Sequence, residues 1–119
     1  MEVVAAKTLI GGLGALPESW ALAVGRGLGG LACRLDRKHR KVADDNLKRA
    51  LPALDPAGRK TVIRGVYRSL GLNLAEWAQA QGWNRGEMLD RVDFEGLEHA
   101  EAALASGRGA VILVGHLGN

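Results

Sequence analysis

The chain ends in AVILVGHLGN, Ala110 to Asn119, and this run constrains the fold more than any other stretch. Five consecutive apolar residues of strand length follow two turn-forming glycines, Gly107 and Gly109, which is the pattern of a strand buried on both faces. The run delivers Gly115 and His116 at its carboxyl end, where open α/β sheets place their chemistry. The expected architecture is therefore α/β, with a helical first half leading into the first strands of an incomplete sheet.

Before that run the patterning is helical. Residues 3–35 are apolar and glycine-rich: of the 17 glycines in the 119-residue chain, seven lie between Gly11 and Gly30. Lys7, Pro17–Glu18 and Arg26 interrupt the stretch, so no uncharged run reaches the roughly 18 residues of a confident membrane span. No basic leader or cleavage site marks a signal peptide either. Two helices separated at Pro17 fit better. In the second, Trp20, Val24, Leu28, Leu31 and Leu35 form an apolar stripe, and Ala21, Gly25 and Gly29 form an adjoining strip of small residues that permits close helix approach. Each glycine weakens an isolated helix by about 1 kcal/mol relative to alanine, so lipid or tertiary packing must support this region.

Residues 36–51 read as a basic helix closed by Pro52. Asp55–Pro56 supplies an N-cap and a first-turn proline for a long helix. Its apolar positions Val62, Val66, Leu70, Leu74 and Trp77, with Ile63 and Tyr67 alongside, keep an i, i+4 rhythm. Arg59, Lys60, Arg64 and Arg68 fall mostly away from that stripe. Gly82–Asn84 ends the helix, Arg91–Phe94 reads as a short strand, and Leu97–Ser106 as a helix with Leu97, Ala100 and Leu104 inward. Two segments result: 1–35, apolar membrane-associating helices, and 36–119, the start of a catalytic domain.

The net charge of +3 conceals a segregation. Residues 1–33 are balanced, residues 34–68 carry eleven basic against four acidic groups, and residues 69–119 carry three against seven. A basic block directly after an apolar helix points to an anionic membrane surface, each cation contributing on the order of 1 kcal/mol near such a leaflet. Trp20, Arg34, Arg37, Lys38, Arg40 and Lys41 are the residues assigned to that contact. No nucleic-acid partner is expected, since no aromatic residue falls among Arg34–Lys48 and no nucleic-acid motif is present.

Gly25-Arg26-Gly27-Leu28-Gly29-Gly30 satisfies G-x-G-x-x-G, but its flanks are helical and the first following acid is Asp36, so helix-packing glycines explain it better than a dinucleotide site. The lone Cys33 excludes an internal disulfide, fits a reducing compartment, and reads as a buried inert thiol. His39 and His99 read as surface groups. No His, Cys and carboxylate spacing suits a metal, and none is expected.

From residue 42 onward the order of features resembles the bacterial lipid A biosynthesis acyltransferases, the late lauroyl/myristoyl transferases. The matching pieces are Val42-Ala43-Asp44-Asp45-Asn46-Leu47 with Ala50-Leu51-Pro52, then Tyr67-Arg68-Ser69-Leu70-Gly71 with Glu76. Val92-Asp93-Phe94-Glu95-Gly96-Leu97-Glu98 follows, and the most specific piece is the closing Gly107–Asn119. Leu51 stands where the family usually has an aromatic. The resemblance implies a glycerolipid-acyltransferase-like α/β domain, with His116 as the catalytic base and Gly115, Gly118 and Asn119 at the substrate. It also implies an acidic partner two positions past Asn119, so the chain reads as an incomplete part of the enzyme, with little activity alone. A fatty acyl group would move from an acyl thioester, on acyl carrier protein or CoA, to a hydroxyl of a membrane glycolipid such as a lipid A precursor. No cofactor beyond that donor is implied, and the expected location is the cytoplasmic face of the bacterial inner membrane. The alternatives are a phosphatidylinositol mannoside-type acyltransferase using acyl-CoA and a non-catalytic membrane-surface helical module.

Overall fold

The computed structural model describes residues 2–113 and 115 of the chain. These residues form six helices and no strand: α1 (Glu2–Ala15), α2 (Glu18–Leu35), α3 (Arg37–Ala50), α4 (Pro56–Ala80), α5 (Arg85–Leu89) and α6 (Leu97–Ala105). The expected α/β architecture is thus corrected to an all-helical one among the described residues. The chain divides into two compact units, Met1–Gly82 and Trp83–Asn119.

In the first unit, several helix boundaries follow from local chemistry. Pro17 cannot continue α1 and sits immediately before α2. Asp36 joins α2 to α3: its carboxylate accepts from the His39 amide at 3.0 Å as the N-cap of α3. The same carboxylate receives the Tyr67 hydroxyl at 3.0 Å, tying the joint to α4. Asp55 caps α4 through the Gly58 amide at 2.7 Å with Pro56 in the first turn, as the sequence indicates. Such a cap contributes about 1 kcal/mol.

The helix packing is built on small residues. Ala21, Gly25, Gly29 and Cys33 form the buried row of α2, and Ile63, Gly71, Ala75 and Ala78 that of α4. Gly25 lies against Gly71 and Ala75, and Gly29 against Tyr67 and Arg68, so the two helices run antiparallel. A methyl group at Gly25, Gly29 or Gly71 would collide with the opposing backbone. The glycines are there for space, since backbones this close admit no side chain between them. At one end of the seam Gln79 anchors α1: its side-chain amide donates to the carbonyls of Leu13 at 2.5 Å and Leu16 at 3.0 Å. Leu13 itself is buried.

The predicted small-residue strip of α2 is therefore the contact face, while the apolar stripes turn away from it. Trp20 and Leu35 are 66 % and 72 % exposed. On α4 the inward row falls beside the Val62, Val66, Leu70, Leu74, Trp77 series: Leu74 is half-buried and the other four are exposed. At about 100° per residue, Val24, Leu28, Leu31 and Leu35 lie on one flank of the α2 seam and Arg26, Gly30 and Arg34 on the other. The same turn places Val66, Leu70, Leu74 and Trp77 of α4 opposite Arg64 and Arg68. Because the helices are antiparallel, the two apolar rows share one side of the pair and the cationic rows share the other.

In the second unit, Asn84 opens α5 with a reciprocal capping box: its side chain accepts the Gly86 and Glu87 amides, and Glu87 accepts the Asn84 amide at 2.8 Å. The Arg91 guanidinium stacks 4.2 Å from the Trp83 ring centroid. The expected strand at Arg91–Phe94 is a turn and irregular chain. Helix α6 forms where expected, with left-handed Gly96 (φ 72°) at its N-cap, but Leu97 and Leu104 are exposed rather than inward. Val111 and Leu113 of the expected terminal strand are 91 % and 94 % exposed. A strand is held by ladder bonds to a neighbour, and no described residue supplies that neighbour.

Candidate functional site

The residues assigned to chemistry fall in two places. His116, Gly118 and Asn119 lie outside the described residues. Gly115 is described, exposed, and has open space where a Cβ would stand. The approach to it turns at Gly107 and Gly109, with φ of 71° and 78°, a conformation that favours glycine.

The surface residues separate. Trp20 stands with the apolar flank of α2, fourteen residues or about 21 Å along the helix axis from Arg34. Arg37, Lys38 and Lys41 are exposed on α3. Arg34 and Arg40, by contrast, line an open groove of about 830 Å³ bounded by α2, α3 and the first half of α4. Four further cations join them there: Arg26, Lys60, Arg64 and Arg68. Buried Cys33 and Ile63, with Gly30, give the groove an apolar floor.

One acid, Asp44, lines the groove, and it is already compensated. Lys48 reaches its carboxylate at 2.6 Å, and the largely buried Arg59 donates to it from Nε at 2.7 Å. These bonds, Lys48 first and Arg59 second, hold the Asp44 carboxyl below its ordinary value of 3.8. Arg59 also donates from Nη1 to the Leu54 carbonyl at 2.7 Å, which fixes the α3–α4 loop. Asp36 is likewise held below the carboxylate range, chiefly by the His39 amide and then by the His39 ring and the Tyr67 hydroxyl. Among the described residues, Arg26, Arg34, Lys60, Arg64 and Arg68 make no ion pair. Arg40 donates from Nε to the Asp36 carbonyl and also lines the groove.

Lys60, Arg64 and Arg68 do fall away from the apolar stripe of α4, as their spacing indicates; their convergence with Arg26 on one groove is what the sequence reading lacks. The signal was present: Lys60, Arg64 and Arg68 recur at i, i+4, i+8, as do Arg26, Gly30 and Arg34, so each set forms a row on one helix face. No group of three or more His, Cys, Asp or Glu able to hold a metal ion occurs among the described residues. No described helix is long and apolar enough to cross a membrane.

The chain belongs to the bacterial lipid A biosynthesis acyltransferase family, whose model matches residues 4–119. It is similar to the lipid A biosynthesis lauroyltransferase of Escherichia coli (strain K12), with 29 % identity over 100 residues. That match covers 84 % of this chain and 32 % of the relative, so the chain spans about a third of that protein's length. No solved structure matches the chain.

Proposed function

We propose that the chain contributes to an acyltransferase that moves a fatty acyl group from acyl carrier protein to a hydroxyl of a lipid A precursor. The supporting observation is the family match, which runs through Gly115 and His116 and so includes the turn assigned to catalysis. In this reading the neutral His116 imidazole takes the acceptor's proton as its oxygen attacks the thioester carbonyl. The carbon–sulfur bond then breaks, and the thiolate leaving group takes up the proton. A carboxylate beside the ring would hold its tautomer and stabilise the imidazolium. Gly115 and Gly118 let backbone approach the substrate, and Asn119 contributes polar contact beside them.

The apolar flank of α2 and α4 supports work at a membrane surface, and in this reading that surface is the cytoplasmic face of the bacterial inner membrane. Contiguous apolar patches on a folded surface mark an interaction site. Trp20 and Trp77 supply the amphipathic rings that settle at such interfaces, and Arg37, Lys38 and Lys41 add attraction to anionic lipid.

The test is acyl transfer from acyl carrier protein to a lipid A precursor by a polypeptide that includes this sequence and an acid beyond it. His116→Ala should abolish transfer while vesicle pelleting stays intact. Transfer that survives the substitution refutes the catalytic assignment. Transfer from acyl-CoA to a phosphatidylinositol mannoside instead would move the reading to the other acceptor class. No transfer by the unsubstituted protein, with pelleting retained, would favour a non-catalytic surface module.

A further inference from the structure

We infer that the groove between α2, α3 and α4 is a binding site for a phosphate-bearing ligand carrying two or more negative charges. The inference is independent of the chemistry assigned to His116.

Three observations carry it. First, Arg26, Arg34, Arg40, Lys60, Arg64 and Arg68 converge on one cavity from three helices. Like charges gathered this way repel one another and cost stability unless an anion joins them. Second, the one acid in the lining is already engaged by Lys48 and Arg59, neither of which lines the groove, so the six cations are not neutralised internally. Third, five of the six are arginines, whose planar forks match the oxygens of a phosphate in a bidentate manner.

The shape selects the size of the ligand. A concave space of about 830 Å³ falls within the range of small-molecule sites. An acidic protein surface would be served as well by a convex cationic patch and would leave this depth unfilled. The apolar floor at Cys33 and Ile63 accepts the non-polar part of a phosphorylated molecule beneath the charged rim. A phosphate with these properties can come from a soluble metabolite or from a lipid headgroup.

The full chain should be titrated with inorganic pyrophosphate by calorimetry at physiological salt, where exposed long-range attraction is largely screened. Saturable one-to-one binding is expected, and Arg64→Gln with Arg68→Gln should weaken it at least tenfold. Lys7→Gln with Arg49→Gln removes the same charge outside the groove and should change it less than twofold. Circular dichroism verifies folding, since glutamine is a good helix former; Arg26→Gln with Arg34→Gln is the second pair should the first not fold. Flotation with phosphatidylcholine vesicles, with and without phosphatidic acid, separates the sources. If the groove variants lose phosphatidic acid binding too, the phosphate is a headgroup; if only pyrophosphate binding falls, it is soluble. No saturable pyrophosphate binding, or equal weakening by both double variants, overturns the proposal. Loss of polyglutamate binding alone in the groove variants also overturns it, assigning the groove to an acidic protein.

Discussion

Gly71 and Gly65 sit in the same helix and differ in what surrounds them, so alanine at each isolates the role of the α2–α4 seam. Around Gly65 a Cβ meets nothing within 4 Å, whereas at Gly71 it would strike the Gly25 carbonyl and lie 2.9 Å from the Gly29 nitrogen. Both substitutions gain the same helix propensity, about 1 kcal/mol. Gly65→Ala retains that gain. At Gly71 the obstacle is backbone, which cannot rotate aside like a flexible side chain, so the helices must separate. Overpacking of this kind costs about 1–3 kcal/mol. Separation also loosens the Gly25–Ala75 and Gly29–Tyr67 contacts, placing the cost at the upper end of that range. The net expectation is stabilisation by about 1 kcal/mol at Gly65 and destabilisation by about 1–2 kcal/mol at Gly71. In a unit of this size a 2–3 kcal/mol gap corresponds to roughly 10–20 °C in Tm. Thermal unfolding followed at 222 nm measures it. A Gly71→Ala protein that melts at or above Gly65→Ala would refute the close-packed seam.

Asp36 and Asp44 have folded pKa values below the ordinary 3.8, so their contribution is complete above that value and is lost as pH falls through the folded pKa values. Asp36→Asn with Asp44→Asn should therefore flatten the acid limb of Tm against pH below about 4; an unchanged slope contradicts the assignment. Gln79→Ala removes two bonds to the end of α1. It should cost about 1 kcal/mol and speed amide exchange in α1 more than in α4; uniform exchange would oppose it. Cys33 is buried at the floor of the groove. Its reaction with a bulky thiol reagent should be slow in the native protein and fast in denaturant, and rapid native labelling would contradict that burial.

Where sequence and structure agree, the information is local. Pro17 divides α1 from α2 and the Asp55–Pro56 step starts α4, because a cap or a missing amide acts within one turn. The Ala21, Gly25, Gly29 strip was legible as a contact face because its smallness means the same thing in any packed helix. What failed depends on partners. On α4 the large residues Val62, Val66, Leu70 and Trp77 imitate a core stripe, yet the seam admits only the smaller row next to them. Residues 110–113 have a strand's composition, but no local pattern provides the second strand their amides require. Helix α5 was missed although Asn84 and Glu87 spell a capping box, a signal hidden by reading Gly82–Asn84 solely as a terminator. The cationic groove was legible in its rows and illegible in their convergence, which only the fold supplies.

The division of α2 and α4 into a greasy side and a cationic side makes the helix pair a polarity compass. With the greasy side resting on a bilayer, the arginines would open toward water, a helix diameter or about 10 Å further out. A soluble guest would then meet the groove directly from the aqueous side, whereas a headgroup would have to reach around the helix pair to enter it.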